Sequence, residues 1–165
     1  MLLNRTKISN SIDQSAKYSA RFFIKELGNN KNVIGISSSY DNKKLKFLIC
    51  KKICQEILNY EKTVFLFDAD YMLEKTENFE TRYLSSSLFD EVIKNEIIVK
   101  KSKSDVVILN IPCITNNVVS LDYLSICDEI FLAERYMYTK YDELNSTIKK
   151  LQMNDLKISG IISYS

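Results

Sequence analysis

The chain has no histidine, one proline and only three glycines in 165 residues. Without histidine it cannot assemble a Ser-His-Asp triad, a Cys-His pair, a His-ligated zinc site or an imidazole proton shuttle, so any acid-base chemistry falls to Asp, Glu, Lys, Tyr or Cys. The glycines are Gly28, Gly35 and Gly160, which leaves none between Ile36 and Ser159. A loop that wraps a phosphate with successive backbone N–H groups needs glycine for its dihedrals and for close approach, and none is available there. Charge of one sign is also missing: 23 basic and 21 acidic residues give +2, spread without a long block, so strong nucleic-acid binding is not implied. No apolar run approaches membrane-spanning length, and Met1 to Arg5 is too short for a signal peptide, so a cytoplasmic location without direct membrane insertion is expected. Cys50, Cys54, Cys113 and Cys127 contain no CxxC pair, which favours reduced, buried thiols over a metal or redox site, and no metal site is assigned.

What is present is a composition of 45% hydrophobic and 27% charged residues, suited to one globular domain over residues 1–165. Ile12, Ala16, Ala20, Phe23 and Leu27 recur at helical spacing and predict an amphipathic helix over about 11–27, with Gly28-Asn29-Asn30 as its stop. The core then spans about 32–165. Val33 to Ser38 reads as a strand, Leu45, Leu48, Ile49, Ile53 and Ile57 as one face of a helix ending near Asn59, and Thr63 to Phe67 as the strand completing a βαβ unit. Asn78 to Asn95 reads as mostly helical, and Asp105 to Leu109 as a continuous apolar run at the sheet centre. A short helix over Val118 to Ile126, a strand over Glu129 to Ala133, a helix presenting Tyr141, Leu144, Ile148 and Leu151, and a strand over Lys157 to Ser163 follow. Alternating strands and helices predict an α/β fold: a doubly wound, mostly parallel sheet of about five strands with helices on both faces.

In such sheets ligands bind beyond the carboxyl ends of the strands, and three ends carry chemistry. The turn from Ser37 to Leu45 enters a helix whose free N–H groups favour an anion, with Ser39, Lys43 and Lys44 as candidate contacts; an ordinary turn capped by Asp41 or Asn42 is the plainer alternative. Asp68-Ala69-Asp70 places two carboxylates at a strand end, where they would share a metal, supply a general base or cap the next turn. Asn110 ends the central strand where a carboxylate would hold magnesium through water, and an amide cannot supply that charge. Tyr136, Tyr138 and Tyr141 form a local aromatic group after Arg135, read either as a contact surface or as a half-buried helix start.

Taken in order, these segments resemble the bacterial tyrosine kinases of capsule and exopolysaccharide synthesis, within the MinD/ParA-type P-loop ATPases. Val33 to Ser39 is similar to the strand leading into the Walker A loop, Val64 to Asp70 to the second acidic motif, and Asp105 to Pro112 to the Walker B strand with its proline. The resemblance runs on through Glu129 to Arg135 and ends at Lys157 to Ile162. Gln14, Lys17 and Ala20 fall where the family carries an E-x-x-R-x-x-R oligomerisation motif, of which only Lys17 keeps the charge. The departures lie on the chemistry: no Walker A glycines or following Ser/Thr, Asn110 in place of aspartate, a shortened interval from Asp70 to Asn110, and no tyrosine-rich tail beyond Tyr164. The resemblance therefore implies a degenerate P-loop kinase/ATPase-like pseudoenzyme that acts by binding, with no cofactor expected. Its implied partner is a protein, either the cytoplasmic tail of a membrane polysaccharide-assembly protein, which would recruit it to the inner face of the membrane, or an active paralogue. One alternative is an active ATP-dependent protein-tyrosine kinase in which Lys43 or Lys44 holds phosphate, Asp68 and Asp70 bind magnesium and Tyr164 accepts the phosphoryl group. Another is a receiver-like signalling domain with Asp68 and Asp70 as its acidic pocket.

Overall fold

The computed structural model of the chain describes residues 2–26, 31–70, 78–85 and 87–165. The chain runs α1 (Leu2–Glu26), β1 (Val33–Ser37), α2 (Lys43–Asn59), β2 (Val64–Asp68), β3 (Glu80–Tyr83), α3 (Glu91–Lys103), β4 (Val106–Asn110), α4 (Val119–Ser125), β5 (Glu129–Arg135), α5 (Tyr141–Met153) and β6 (Gly160–Tyr164). Among the described residues all pairings are parallel, in one six-stranded sheet of order β3-β2-β4-β1-β5-β6.

The three central strands are buried at every position, because helices cover both faces of the sheet. Alternate strand residues point to opposite sides. Ile34, Ile36, Leu66, Ile108 and Ala133 meet α1 and α2, while Val33, Phe67, Val107, Leu109 and Leu132 meet α3, α4 and α5. Gly35 is required by the second packing: a Cβ there would stand 2.7 Å from Cys127 Sγ and 3.2 Å from Leu124 Cδ2, closer than the layers allow.

Several expectations are corrected. The parallel sheet of about five strands is present, with six strands among the described residues; the part corrected is the stretch read as mostly helical, whose residues 80–83 form the edge strand β3. Only alternate residues of β3 are half-buried, so Glu80-Thr81-Arg82-Tyr83 gives no apolar run to read. The helix of that region starts later, at Glu91, where Asp90 caps it by accepting from Ile93 N at 2.9 Å. The buried face of α2 consists of Lys46, Phe47, Ile49, Cys50, Ile53, Cys54 and Ile57, rotated from the predicted one, so that Leu45 and Leu48 are half-buried. The α1 helix begins well before the predicted start, and the predicted Leu27 and Gly28-Asn29-Asn30 stop lies outside the described residues. Of the oligomerisation-motif positions, Gln14 and Lys17 are exposed, whereas Ala20 is packed in the core.

Cys50, Cys54 and Cys113 are buried and Cys127 is half-buried, all as free thiols. Burial pushes the Cys50, Cys54 and Cys127 thiols well above their ordinary range, which suppresses thiolate chemistry at neutral pH.

Candidate functional site

The carboxyl ends of β1, β2, β4 and β5 gather polar side chains that are almost completely buried: Ser37, Ser38, Ser39, Asp68, Asp70, Asn110 and Glu134, with Lys46 entering from α2. Register creates this cluster. Asp68 lies opposite Asn110 across β2 and β4, Ile36 lies opposite Asn110 across β1 and β4, and β5 flanks β1 on its other side.

In the β1–α2 turn, the three serines are taken by internal contacts. Ser37 Oγ donates to Pro112 O at 2.7 Å, and Ser38 Oγ to Tyr40 O at 2.7 Å. Ser39 donates twice to one carboxylate, from its backbone N–H to Glu134 Oε1 at 2.7 Å and from its hydroxyl to Glu134 Oε2 at 2.9 Å, while Thr139 Oγ1 adds a third bond to Oε2 at 2.8 Å. Glu134 thus supplies an internal anion at a backbone N–H of the loop where a phosphate would have to bind. Its burial raises its pKa, and these hydrogen bonds pull in the opposite direction.

Asn42 occupies the N-cap position of α2 but makes no capping bond; its amide donates instead to Tyr40 Oη at 2.7 Å and Tyr164 Oη at 2.9 Å. The turn is therefore not the ordinary capped one that Asp41 or Asn42 would give. Tyr164 is 2% exposed and its phenol lies 3.3 Å from that of Tyr40, so the last tyrosine is part of the closure of this loop. Burial drives the Tyr164 phenol further above its ordinary range.

At the acidic end, Asn110 Nδ2 and Asp70 N both donate to Asp68 Oδ1, at 2.8 and 3.1 Å. The amide of Asn110 serves as a donor to Asp68 here, the reverse of a metal ligand. Asp70 is paired with Lys46, whose Nζ stands 2.8 Å from Asp70 Oδ2 and donates to the carbonyl of Ile111. Lys43 approaches Asp70 Oδ1 from solvent at 3.8 Å, and Lys44 is exposed and joins no contact at this cluster. The Lys46 approach to Asp70 is off the hydrogen-bonding direction, so among the described residues neither Asp70 oxygen accepts a hydrogen bond, nor does Asn110 Oδ1.

The predicted candidates thus divide. Asp68, Asp70 and Asn110 meet, Ser39 lies beside them on Glu134, Lys43 reaches only the rim, and Lys44 stays outside. Lys46 and Glu134 were missed. Lys46 was readable in principle, because it precedes Ile49, Cys50, Ile53 and Ile57 on one helical face and so is a lysine on an apolar stripe. Glu134 had no sequence signal, since its role depends on β5 lying next to β1.

Magnesium and a nucleotide triphosphate do not fit this arrangement. The acidic position already holds the charged end of a lysine, and the loop N–H already holds a carboxylate. The cavity at the rim, lined by Asp41, Lys43, Asp70, Cys113 and Asn117 among others, has a volume of about 120 Å³, well below the ~300–1,000 Å³ of typical small-molecule sites. Tyr136 and Tyr138 lie exposed on the loop leaving β5, where Arg135 stacks 3.7 Å from the ring centroid of Tyr138, and Tyr141 opens α5. All three residues are 63–78% exposed, so the expected helix start is present at Tyr141 but is not half-buried.

No protein-family model and no curated protein matches the chain by sequence. Solved structures do match by shape. The VpsO kinase domain superposes with a TM-score of 0.73 at 9% identity, covering 99% of this chain and 98% of that one. The kinase domain of the Escherichia coli tyrosine kinase ETK gives 0.68 at 11% identity over 88% of this chain and 71% of that one. A ParA-family ATPase from Chlorobium tepidum gives 0.56 at 14% identity over 82% and 73%. The fold is therefore the α/β, P-loop-NTPase-like fold of bacterial tyrosine kinase domains.

Proposed function

On this kinase and ATPase scaffold, we propose that the chain is a binding or regulatory module that neither hydrolyses ATP nor transfers its phosphoryl group. The observation that carries this reading is that both charges of the site come from within the protein: Glu134 on the Ser39 N–H, and Lys46 on Asp70. Phosphoryl transfer depends on positioned cations, a metal and a backbone cradle around the phosphates. Here the cradle lacks glycine and part of its N–H surface is taken, while the carboxylate that would serve a metal is neutralised by a buried lysine.

The active-kinase reading would draw on the first turn of α2, which has no acidic residue, no capping side chain, and Lys43 and Lys44 exposed. That is enough for weak anion attraction. It does not supply the remaining parts, and Tyr164 is too buried, with its hydroxyl hydrogen-bonded, to act as phosphoacceptor. The receiver-like reading is disfavoured because β1 lies at the sheet centre between β4 and β5.

The resemblance to capsule and exopolysaccharide kinases gives the biological setting of the proposal, with the cytoplasmic tail of a membrane polysaccharide-assembly protein or an active paralogue as the partner. An assay of ATP turnover and autophosphorylation on the purified chain tests the chemical part. No magnesium-dependent turnover is expected, and Asp68→Ala and Lys43→Ala should leave the background unchanged; autophosphorylation abolished by either substitution would overturn the reading.

A further inference from the structure

From Gln14 to Lys25 the chain carries Lys17, Arg21 and Lys25 and no acidic residue. Ile12, Ala16, Ala20 and Phe23 turn this part of α1 inward against the sheet. The three cations consequently fall on one exposed line, spanning ~12 Å at the helical rise. Beside that line stand Tyr18, 76% exposed, and Phe22, 44% exposed. Phe22 is held edge-on against Phe23 and Phe131, with ring centroids at 6.3 and 6.0 Å, so its outward edge is fixed rather than free to fold back. Among the described residues none of the three cations has an ion-pair partner, whereas Asp13, one turn earlier, is engaged by Lys52 at 3.0 Å.

We propose that this face of α1 docks on anionic lipid headgroups. Cations in a row, without ion-pair partners among the described residues and flanked by an amphipathic tyrosine and an apolar phenylalanine edge on an exposed helix face, recognise charge density and an interface rather than a shape. Phosphate-bearing headgroups meet the cations, and Tyr18 and the edge of Phe22 lie at headgroup depth, where aromatic rings are favoured. Two copies of the chain facing each other through this line would set cation against cation. The contact is peripheral, since no described helix is long and apolar enough to cross a membrane. It is independent of the closed site at the carboxyl ends of the strands.

Each lysine or arginine near an anionic surface strengthens binding roughly five-fold, so the three together give about 100-fold. Sedimentation of the full chain with vesicles of equal parts phosphatidylglycerol and phosphatidylcholine, against phosphatidylcholine alone, reads this directly. Binding to the anionic vesicles only is expected, weakening with salt and lost on combined Lys17→Glu, Arg21→Glu and Lys25→Glu. The chain has no tryptophan, so Tyr18→Trp adds a single reporter that needs no charge variant: its emission should shift to the blue with anionic vesicles alone. Equal partition onto both vesicle types, undiminished binding by the triple variant, or no association with anionic vesicles because the face takes an acidic protein instead would each overturn the proposal.

Discussion

At the amino ends of the strands charge meets water, and at the carboxyl ends of the same strands it is shut inside. Lys31 pairs with Glu129 at 3.0 Å while 61% exposed, and Lys62 with Asp105 at 3.9 Å with both side chains 46% exposed. Lys46 and Asp70, at the other end, are each 1% exposed. Pairs of the first kind contribute little net stability because solvent screens them and ordering long side chains costs entropy. Breaking a pair of the second kind leaves a buried charge without compensation. A fold that only needed to be stable would have little use for the second arrangement. Its place at the carboxyl ends of the strands, where open α/β sheets bind ligands, fits the proposal that internal charges stand where a ligand's would.

The largest effect should come from Lys46. Lys46→Met leaves Asp70 buried and uncompensated, and a loss of about 3–5 kcal/mol is expected in denaturant unfolding. Adding Asp70→Leu should recover much of it, because an apolar pair of similar volume avoids the desolvation cost. No recovery would mean that Asp70 has partners beyond Lys46 and that the internal-replacement argument is wrong at this position.

Glu134 comes next. Glu134→Ala strands the Ser39 N–H and two hydroxyls, which should cost about 1–3 kcal/mol. Its pH dependence sharpens the contrast between the two ends. Burial raises the Glu134 pKa in the folded state, so the folded protein holds the proton more tightly than the unfolded chain. Stability from this group is therefore full below the ordinary glutamate range and falls as pH rises through the folded value. Asp105, at the amino ends, has its pKa lowered by the Thr63 N–H and hydroxyl, so its contribution is present above the ordinary aspartate range and falls as pH drops. Unfolding across acidic to neutral pH should show Glu134→Gln and Asp105→Asn removing slopes of opposite sign. Slopes of the same sign would break the comparison.

The smallest effect is assigned to Lys43. Its contact with Asp70 is long, at 3.8 Å, and open to water, so Lys43→Ala should change stability by no more than ~0.5 kcal/mol in the same unfolding measurement.

Much of the fold was legible because the strands covered on both faces, β1, β2 and β4, are continuous apolar runs that cannot be mistaken for surface. The edge strand β3 was not legible, because one side of its backbone and alternate side chains face outward and its four residues are mostly polar. The site was half legible for a related reason. Asp68 and Asn110 end strands visible in the sequence, with Asp70 two residues beyond Asp68, and the meeting of Asp68 with Asn110 follows from parallel order. Glu134 reaches Ser39 over 95 residues of chain, through a strand adjacency that no local pattern encodes. Lys46 was legible only with the apolar stripe of α2 drawn through Phe47, Cys50 and Cys54 rather than through Leu45 and Leu48, which places the lysine on the buried face.

The claim that the site is filled from within is tested most directly by calorimetric titration of the purified chain with ATP and ADP, with and without magnesium. The account predicts no magnesium-dependent heat at millimolar nucleotide. Micromolar, magnesium-dependent binding would contradict it, because Glu134 and Lys46 would then have to leave the positions they hold.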